Sequence, residues 1–188
     1  MRLFIAIEIP PLVKQEMAAL QDQLRHTDVD AAWVRPEGMH LTLKFLGDVP
    51  ETRSNAIMDA LVYAAQGRGG FRMEISGVGT FPHTGNPRVV WVGVQGDADM
   101  LRDAQTSVEG QMLNLGFARE DRDFFPHLTL GRIRQVRSRS AWKNAFDKLK
   151  DIRLSGFHVD SISLMQSELH SSGAVYTEIG RVLLKGTQ

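Results

Sequence analysis

The sequence predicts an α+β protein built by internal duplication, with two lobes whose antiparallel sheets face a central cleft and whose helices lie outside. The tetrapeptide His-Leu-Thr-Leu occurs twice, at 40–43 and 127–130. The hydrophobic pattern gives the order β-α-β-α-β in each half. At 188 residues, 43% apolar and 23% charged, the chain has the composition of a globular protein. We therefore predict a single domain, 1–188, with pseudo-symmetric lobes formed by repeats at about 1–80 and 87–188.

Prolines and glycines set the boundaries of the elements in the first half. Pro10 and Pro11 follow a run of apolar, β-branched residues, so they end a strand and open a helix. Gly47 and Pro50 close the strand that carries the first tetrapeptide. The predicted elements are a strand at 3–9, a helix at about 12–25, a loop through 28–30, the tetrapeptide strand, a helix at about 50–66 and a strand at 71–79.

The second half repeats this order. Its helix ends at Gly116, and a charged loop at 119–123 precedes the second tetrapeptide. Ser138 or Ser140 is expected to cap the next helix. The predicted elements are a strand at 88–94, a helix at 97–115, the tetrapeptide strand, a helix ending near 150, strands at 151–154 and 159–165, and a last hairpin through Ser171, Ser172 and Gly173 to strands at 176–179 and 181–184.

The composition limits the classes of function. Lysine plus arginine and aspartate plus glutamate both number 22, so no overall positive field binds nucleic acid, and such a partner would be held locally. Cysteine is absent, which excludes disulfides, thiolate zinc sites and a cysteine nucleophile. No stretch is long enough to span a bilayer. We expect a soluble, cytoplasmic monomer with no membrane and no protein partner.

The repeated tetrapeptide indicates acid–base chemistry. In a strand, side chains alternate between faces, so each histidine projects beside its threonine while the two leucines enter a core. Imidazole titrates near pH 6.5, so His40 and His127 can be held in opposite protonation states around a phosphodiester, one as base and one as acid. Thr42 and Thr129 would donate hydrogen bonds to the non-bridging phosphate oxygens. This chemistry requires no metal and no cofactor.

The two His-x-Thr-x motifs resemble those of the 2H phosphoesterase superfamily, and more closely those of bacterial RNA 2′,3′-cyclic phosphodiesterases, historically called 2′-5′ RNA ligases. The resemblance covers nearly the whole chain and extends beyond the two motifs. The further matching stretches are Phe4-Ile5-Ala6, Lys44-Phe45-Leu46-Gly47, Gly79-x-Phe81, Pro87-Arg88-Val89-x-Trp91-x-Gly93, Pro126, Arg132, Leu164-x-x-Ser167-x-Leu169 and Gly173-x-x-Tyr176.

The resemblance implies hydrolysis of a terminal 2′,3′-cyclic phosphate to a 2′-phosphate, with reversible, ATP-independent 2′-5′ joining as a side activity. By position the catalytic pair falls on His40, usually assigned as proton donor, and on His127, the acceptor. The sequence does not itself fix that polarity. The family's nucleotide contacts fall on Phe45, which could stack a base, and on Arg132, which could pair with phosphate.

Several alternatives remain open from the sequence. The same fold could act on another small cyclic or 2′-5′ linked nucleotide, or could bind RNA ends without catalysis. A metal site formed by both histidines with Asp121 or Asp123 is a further alternative, although no ligand spacing supports it. An arginine run at 132, 134, 137 and 139 could hold the RNA strand leading into the cleft, but its last two members fit a solvated loop equally well.

Overall fold

The computed structural model describes residues 1–170 and 173–186. The helices are α1 (Pro11–Arg25), α2 (Ser54–Ala65), α3 (Ala98–Asn114) and α4 (Arg139–Leu149), with short 3₁₀ turns at Pro36–Gly38 and Glu51–Arg53. The strands are β1 (Arg2–Glu8), β2 (Val29–Trp33), β3 (His40–Asp48), β4 (Gln66–Gly67), β5 (Phe71–Phe81), β6 (Val89–Gly96), β7 (His127–Val136), β8 (Phe157–Val159), β9 (Ser161–His170), β10 (Gly173–Leu183) and β11 (Lys185–Gly186).

Two antiparallel sheets form the framework. The first has the strand order β10-β9-β1-β3, and the second has the order β2-β7-β6-β5-β8. A two-residue parallel pair, β4 with β11, completes the sheet structure of the described residues. The predicted α+β class with antiparallel sheets is confirmed. Each sheet takes strands from both halves of the sequence, and the lobe boundaries at 1–80 and 87–188 stay a prediction.

A single large hydrophobic cluster joins the sheets to the helices. On α1 the buried apolar residues are Val13, Met17, Leu20 and Leu24, a spacing of three or four that places them on one helix face. The four leucines of the two tetrapeptides belong to the same cluster. Burial of each such side chain contributes about 2 kcal/mol, so the core itself fixes which face of β3 and of β7 points away from it.

The structure differs from the predicted elements in several places, and the short strands β4, β8 and β11 were not predicted. Residues 29–33, where the sequence predicts a loop through 28–30 and no strand, form β2, because their backbone pairs with β7 at the edge of the second sheet. Residues 151–154, expected as a strand, form no strand; after a turn at 150–151, they make one isolated bridge from Arg153 to Ser76. The last two predicted strands are one continuous strand, β10, with a bulge near Gly180. Ser171 and Ser172 of the predicted hairpin turn lie outside the described residues.

No helix within 1–170 and 173–186 combines the length and apolar character that crossing a membrane requires.

Candidate active site

Both copies of the tetrapeptide lie in strands and alternate between two faces, as the sequence predicts. In β3, Leu41 and Leu43 are 1% and 4% exposed, whereas the histidine and threonine of that copy are half-buried. In β7, Leu128 and Leu130 are fully buried, and the second histidine and threonine are again half-buried. Each copy therefore presents an imidazole and a hydroxyl on the face opposite to the core.

The two copies are brought together where the sheets meet. Strand β3 is the edge of the first sheet, and it contacts β7 of the second sheet. Since the leucines of both strands enter one core cluster, the two His-Thr pairs lie on the other side of the same two adjoining strands. We call the space above them the cleft.

A β-bulge follows each tetrapeptide and gives both strands the same local geometry. Between β1 and β3, the register shifts so that Ile5 pairs with Lys44 and Ala6 with Thr42. Between β6 and β7, the equivalent shift pairs Val90 with Gly131 and Trp91 with Thr129. The extra residue puts two successive side-chain positions on the core face, so that the third residue after each threonine returns to the cleft face.

The bulges explain where the two predicted nucleotide contacts lie. Phe45 is the third residue after Thr42, and its side chain is 65% exposed. Arg132 is the third residue after Thr129, and it is also exposed. The two predicted binding residues therefore occupy equivalent positions of the two repeats, next to the histidine and threonine of each strand.

His40 lies in an apolar setting. Its ring centroid is 4.5 Å from that of Phe4 and 4.9 Å from that of Tyr176, and its imidazole bonds to the backbone of Gly38. Burial, which disfavours the imidazolium, and the nearby Lys14 ammonium together lower the pKa of His40 to about 4, although the Gly38 hydrogen bond acts in the opposite direction. In the unliganded protein His40 is therefore neutral at pH 7.

His127 has a fixed orientation. Its Nδ1 lies 2.7 Å from the carbonyl oxygen of Phe125. A carbonyl oxygen only accepts, so Nδ1–H is the donor and Nε2 is left for a reacting group. The rings of Phe81, Phe125 and Trp91 surround the imidazole at centroid distances of 5.1, 6.0 and 6.2 Å. Each histidine thus bonds to the backbone of the residue two places before it.

A buried glutamine holds β7 at this position. Gln21 on α1 is 2% exposed, and its Nε2 donates to the carbonyl oxygens of Val34 and Leu130, both at 2.7 Å. The backbone N–H of Val34 also donates to Leu130 O at 2.9 Å. Since Leu130 is the last residue of the second tetrapeptide, helix α1 anchors that tetrapeptide directly.

The resemblance includes Phe4, Phe81, Trp91 and Tyr176 as matching positions, but the sequence did not place them around the histidines and did not reveal the charged groups near His40. Lys14 lies on α1, and its Nζ donates to a carboxylate oxygen of Glu8 at 3.4 Å. Glu8 is the cross-strand partner of His40, and no local pattern links this trio. Phe81 and Phe125 carry a weak signal, because each precedes a proline close to a strand.

No group of three or more potential metal-ligating side chains occurs among the residues that the structure describes. The alternative metal site of both histidines with Asp121 or Asp123 is therefore not formed there. Metal independence itself stays a prediction about the reaction.

Comparisons with known proteins agree with this fold. A family model described as LigT like phosphoesterase matches residues 7–91 and again 92–176. An RNA 2′,3′-cyclic phosphodiesterase of Methanothermobacter thermautotrophicus is 33% identical over 178 residues, or 95% of this chain and 96% of that protein. A protein of the same name from Aeropyrum pernix is 37% identical, covering 88% and 93%. The crystal structure of a Thermus thermophilus protein superposes with a TM-score of 0.84 at 28% identity, covering 100% of both chains. The chain belongs to the LigT-like phosphoesterase family, whose model it matches twice.

Proposed function

We propose that this protein hydrolyses the 2′,3′-cyclic phosphate at the end of an RNA to a 2′-phosphomonoester. The observation that carries the proposal is the pair of His-Thr dyads on one side of two adjoining strands. Each histidine is held by a hydrogen bond to the backbone two residues earlier. Two oriented imidazoles beside two hydroxyls fit a phosphodiester with one oxygen on each side. The relatives that carry the name of this activity align over nearly the whole chain.

In the proposed reaction, His127 Nε2 accepts a proton from water as the water oxygen attacks phosphorus. The bond from phosphorus to O3′ breaks in line, and His40 gives a proton to O3′. The products are a free 3′-hydroxyl and a 2′-phosphate, and the histidines exchange protons with solvent before the next turnover. Each nitrogen must come within about 3 Å of its oxygen.

The environment of His127 supports this polarity, whereas His40 needs the bound substrate to become a proton donor. The hydrogen bond from His127 Nδ1 to Phe125 leaves Nε2 of the neutral ring as an acceptor, which suits a base. The pKa of about 4 keeps His40 neutral in the free protein. A bound phosphodiester carries a negative charge against that ring, so it favours the imidazolium and raises this pKa toward the value a proton donor needs.

The remaining site residues bind the substrate in this proposal. The Thr42 and Thr129 hydroxyls donate to the non-bridging oxygens, where charge accumulates in the transition state. Phe45, exposed on the cleft face, stacks the terminal base, and Arg132 pairs with phosphate. A 5′-hydroxyl of a second RNA in place of water would give a 2′-5′ linkage by the same proton transfers, without ATP.

The test is hydrolysis of a short RNA ending in a 2′,3′-cyclic phosphate, in the presence of EDTA, with identification of the phosphate isomer. We expect a 2′-phosphate product from the wild type. We expect a loss of about 10²-fold or more in kcat for His40→Asn and His127→Asn, since each removes a proton-transfer group. His26→Asn, at an exposed histidine outside the cleft, is the matched control. A 3′-phosphate product, or full turnover in either cleft variant, contradicts the proposal, and loss of activity in EDTA contradicts metal independence.

A further inference from the structure

A second concave site lies beyond the catalytic pair at the far end of β7. It is a cavity of about 620 Å³, within the size range of small-molecule pockets. Its polar lining comes from Arg88, Arg134, Arg139, Thr80, Asn86 and Gln135. We call it the arginine cavity.

The charged residues that line this cavity are all positive. Three guanidinium groups line it, and none of its lining residues is acidic. Among the described residues, Arg134 pairs with Asp30 just outside the lining at 3.5 Å, and Arg139 donates to Asn86 Oδ1 at 3.2 Å. No carboxylate of the described chain pairs with Arg88. In a chain with equal numbers of positive and negative residues, this is a local anion-binding surface.

Arg88 is held in place by its backbone. Its N–H donates to Phe81 O at 2.7 Å, and its carbonyl accepts from Ile133 N at 2.8 Å. The residue is therefore fixed between the end of β5 and β7, while its side chain remains exposed. Because its backbone is fixed and its guanidinium has no carboxylate partner to give up, Arg88 loses less conformational entropy when it binds a phosphate.

Two segments of the chain connect the active site to the cavity. Strand β7 carries His127 at one end and Arg134 seven residues further on, about 20 Å of strand, with Arg132 between them. The loop from 82 to 88 makes the second connection. The centroid of its His83 ring lies 5.3 Å from that of Phe81 and 6.2 Å from that of Trp91, two rings that also neighbour His127, and its residues 85–88 line the cavity.

We propose that the arginine cavity binds the phosphodiester backbone of the RNA upstream of the reacting terminus. This inference rests on the proposed function, because the cyclic end must sit between the two histidines. A mononucleotide bound there does not reach Arg88 or Arg139, whereas an oligonucleotide does. The cavity therefore makes the protein prefer cyclic ends of RNA chains over free cyclic nucleotides.

The experiment compares kcat/KM for 2′,3′-cyclic AMP and for a short RNA with a 2′,3′-cyclic end. The enzymes are the wild type and the double variant Arg88→Ala/Arg139→Ala. We expect the double variant to lose about tenfold or more on the RNA, through KM, and less than about twofold on the mononucleotide. Each lost phosphate contact also reduces the slope of log kcat/KM against log salt by about 0.7. Arg102→Ala, at an exposed arginine on α3, is the control and should change neither substrate.

Equal loss on both substrates, or no loss on either, overturns the inference. If the wild type turns over neither substrate, the proposed function fails, and the cavity is then tested by binding alone. In that assay, fluorescence anisotropy follows a labelled RNA bearing a terminal 2′-phosphate. Weaker binding by the double variant supports the cavity, and unchanged binding overturns it. If an acidic peptide displaces the labelled RNA at the same concentration as unlabelled RNA does, the assignment of the cavity to RNA is also overturned.

Discussion

The two copies of one tetrapeptide hold their histidines in different environments. His40 lies between Phe4 and Tyr176, with Lys14 nearby, and its pKa is lowered to about 4. His127 instead lies among the rings around Trp91, with Nδ1 bonded to a carbonyl oxygen. The sequence makes the two residues equivalent. Their neighbours make them different.

The lowered pKa of His40 predicts how stability depends on pH. In the unfolded chain His40 takes a proton near pH 6.5, but in the folded protein only near pH 4. The unfolded state binds more protons in this window, so stability falls as pH drops from about 6.5 to 4, by roughly 3 kcal/mol. Urea unfolding of the wild type and of His40→Asn, at pH 7 and at pH 4, measures this contribution.

His40→Asn cannot titrate, so it should lose less stability than the wild type between those two pH values. Carboxylates titrate in both proteins, and their contribution cancels in the difference. Equal pH dependence in the two proteins contradicts the lowered pKa.

The Lys14→Met variant tests the same pKa through kinetics. Removing this charge raises the pKa of His40, so the low-pH limb of the profile of kcat/KM against pH should move to higher pH. Lys14→Arg keeps the charge and is the control.

At the scale of the elements, the bulge after each tetrapeptide places a different residue in the core. On β3 this is Lys44, 4% exposed, whose Nζ donates to both carboxylate oxygens of Glu109 at 2.8 and 2.9 Å and to Ala118 O at 2.8 Å. On β7 it is Gly131, where a Cβ would lie 2.9 Å from Cε3 of Trp33. The first bulge is therefore tied to α3 by an ion pair, and the second is packed under an aromatic ring.

We predict that Lys44→Ala lowers the free energy of unfolding by about 3 kcal/mol, because it leaves the carboxylate of Glu109 largely buried and unpaired. The double variant Lys44→Met/Glu109→Gln should recover part of the loss, since both charges are then removed. Lys143→Ala breaks the exposed pair with Asp147 on α4 and should destabilise the protein far less than Lys44→Ala, because solvent screens this pair. Chemical denaturation measures all three, and a loss below about 1 kcal/mol for Lys44→Ala would contradict a structural role for this pair.

At the scale of the whole molecule, the two sheets interlock the halves of the chain. The first sheet combines β1 and β3 with β9 and β10, which lie far along the sequence. The second combines β2 and β5 with β6, β7 and β8. Each half therefore supplies strands that pair with the other half, and neither can satisfy its backbone hydrogen bonds alone.

This arrangement predicts that the fragments 1–86 and 87–188 do not fold separately. Without β9 and β10, strand β1 loses its pairing on one side, and without β6 and β7 the second sheet has no centre. Circular dichroism should show no cooperative thermal transition for either fragment, and a transition when the two are mixed. A cooperative transition in a single fragment would contradict it and would support lobes that are independent in structure as well as in sequence.

The fold class, the strands of both tetrapeptides and their alternation could be predicted from the sequence, because side-chain period and turn residues are local properties. Strand β2 could not, since residues 29–33 form a strand only by pairing with β7. The exposure of Phe45 follows from a β-bulge that the pattern of apolar and polar residues did not predict. Lys14 and His40 are 26 positions apart in the sequence, and the folded chain alone makes them neighbours.

The sequence by itself determined the two His-Thr pairs, the leucines that orient them and the family that they resemble. Only the tertiary structure decided that β3 and β7 adjoin, that the two histidines have different surroundings and that three arginines meet in one cavity. The physical reason is the range of the interactions. Alternation and turns depend on neighbouring residues, whereas burial, charge and the pairing of distant strands depend on which parts of the chain are packed together.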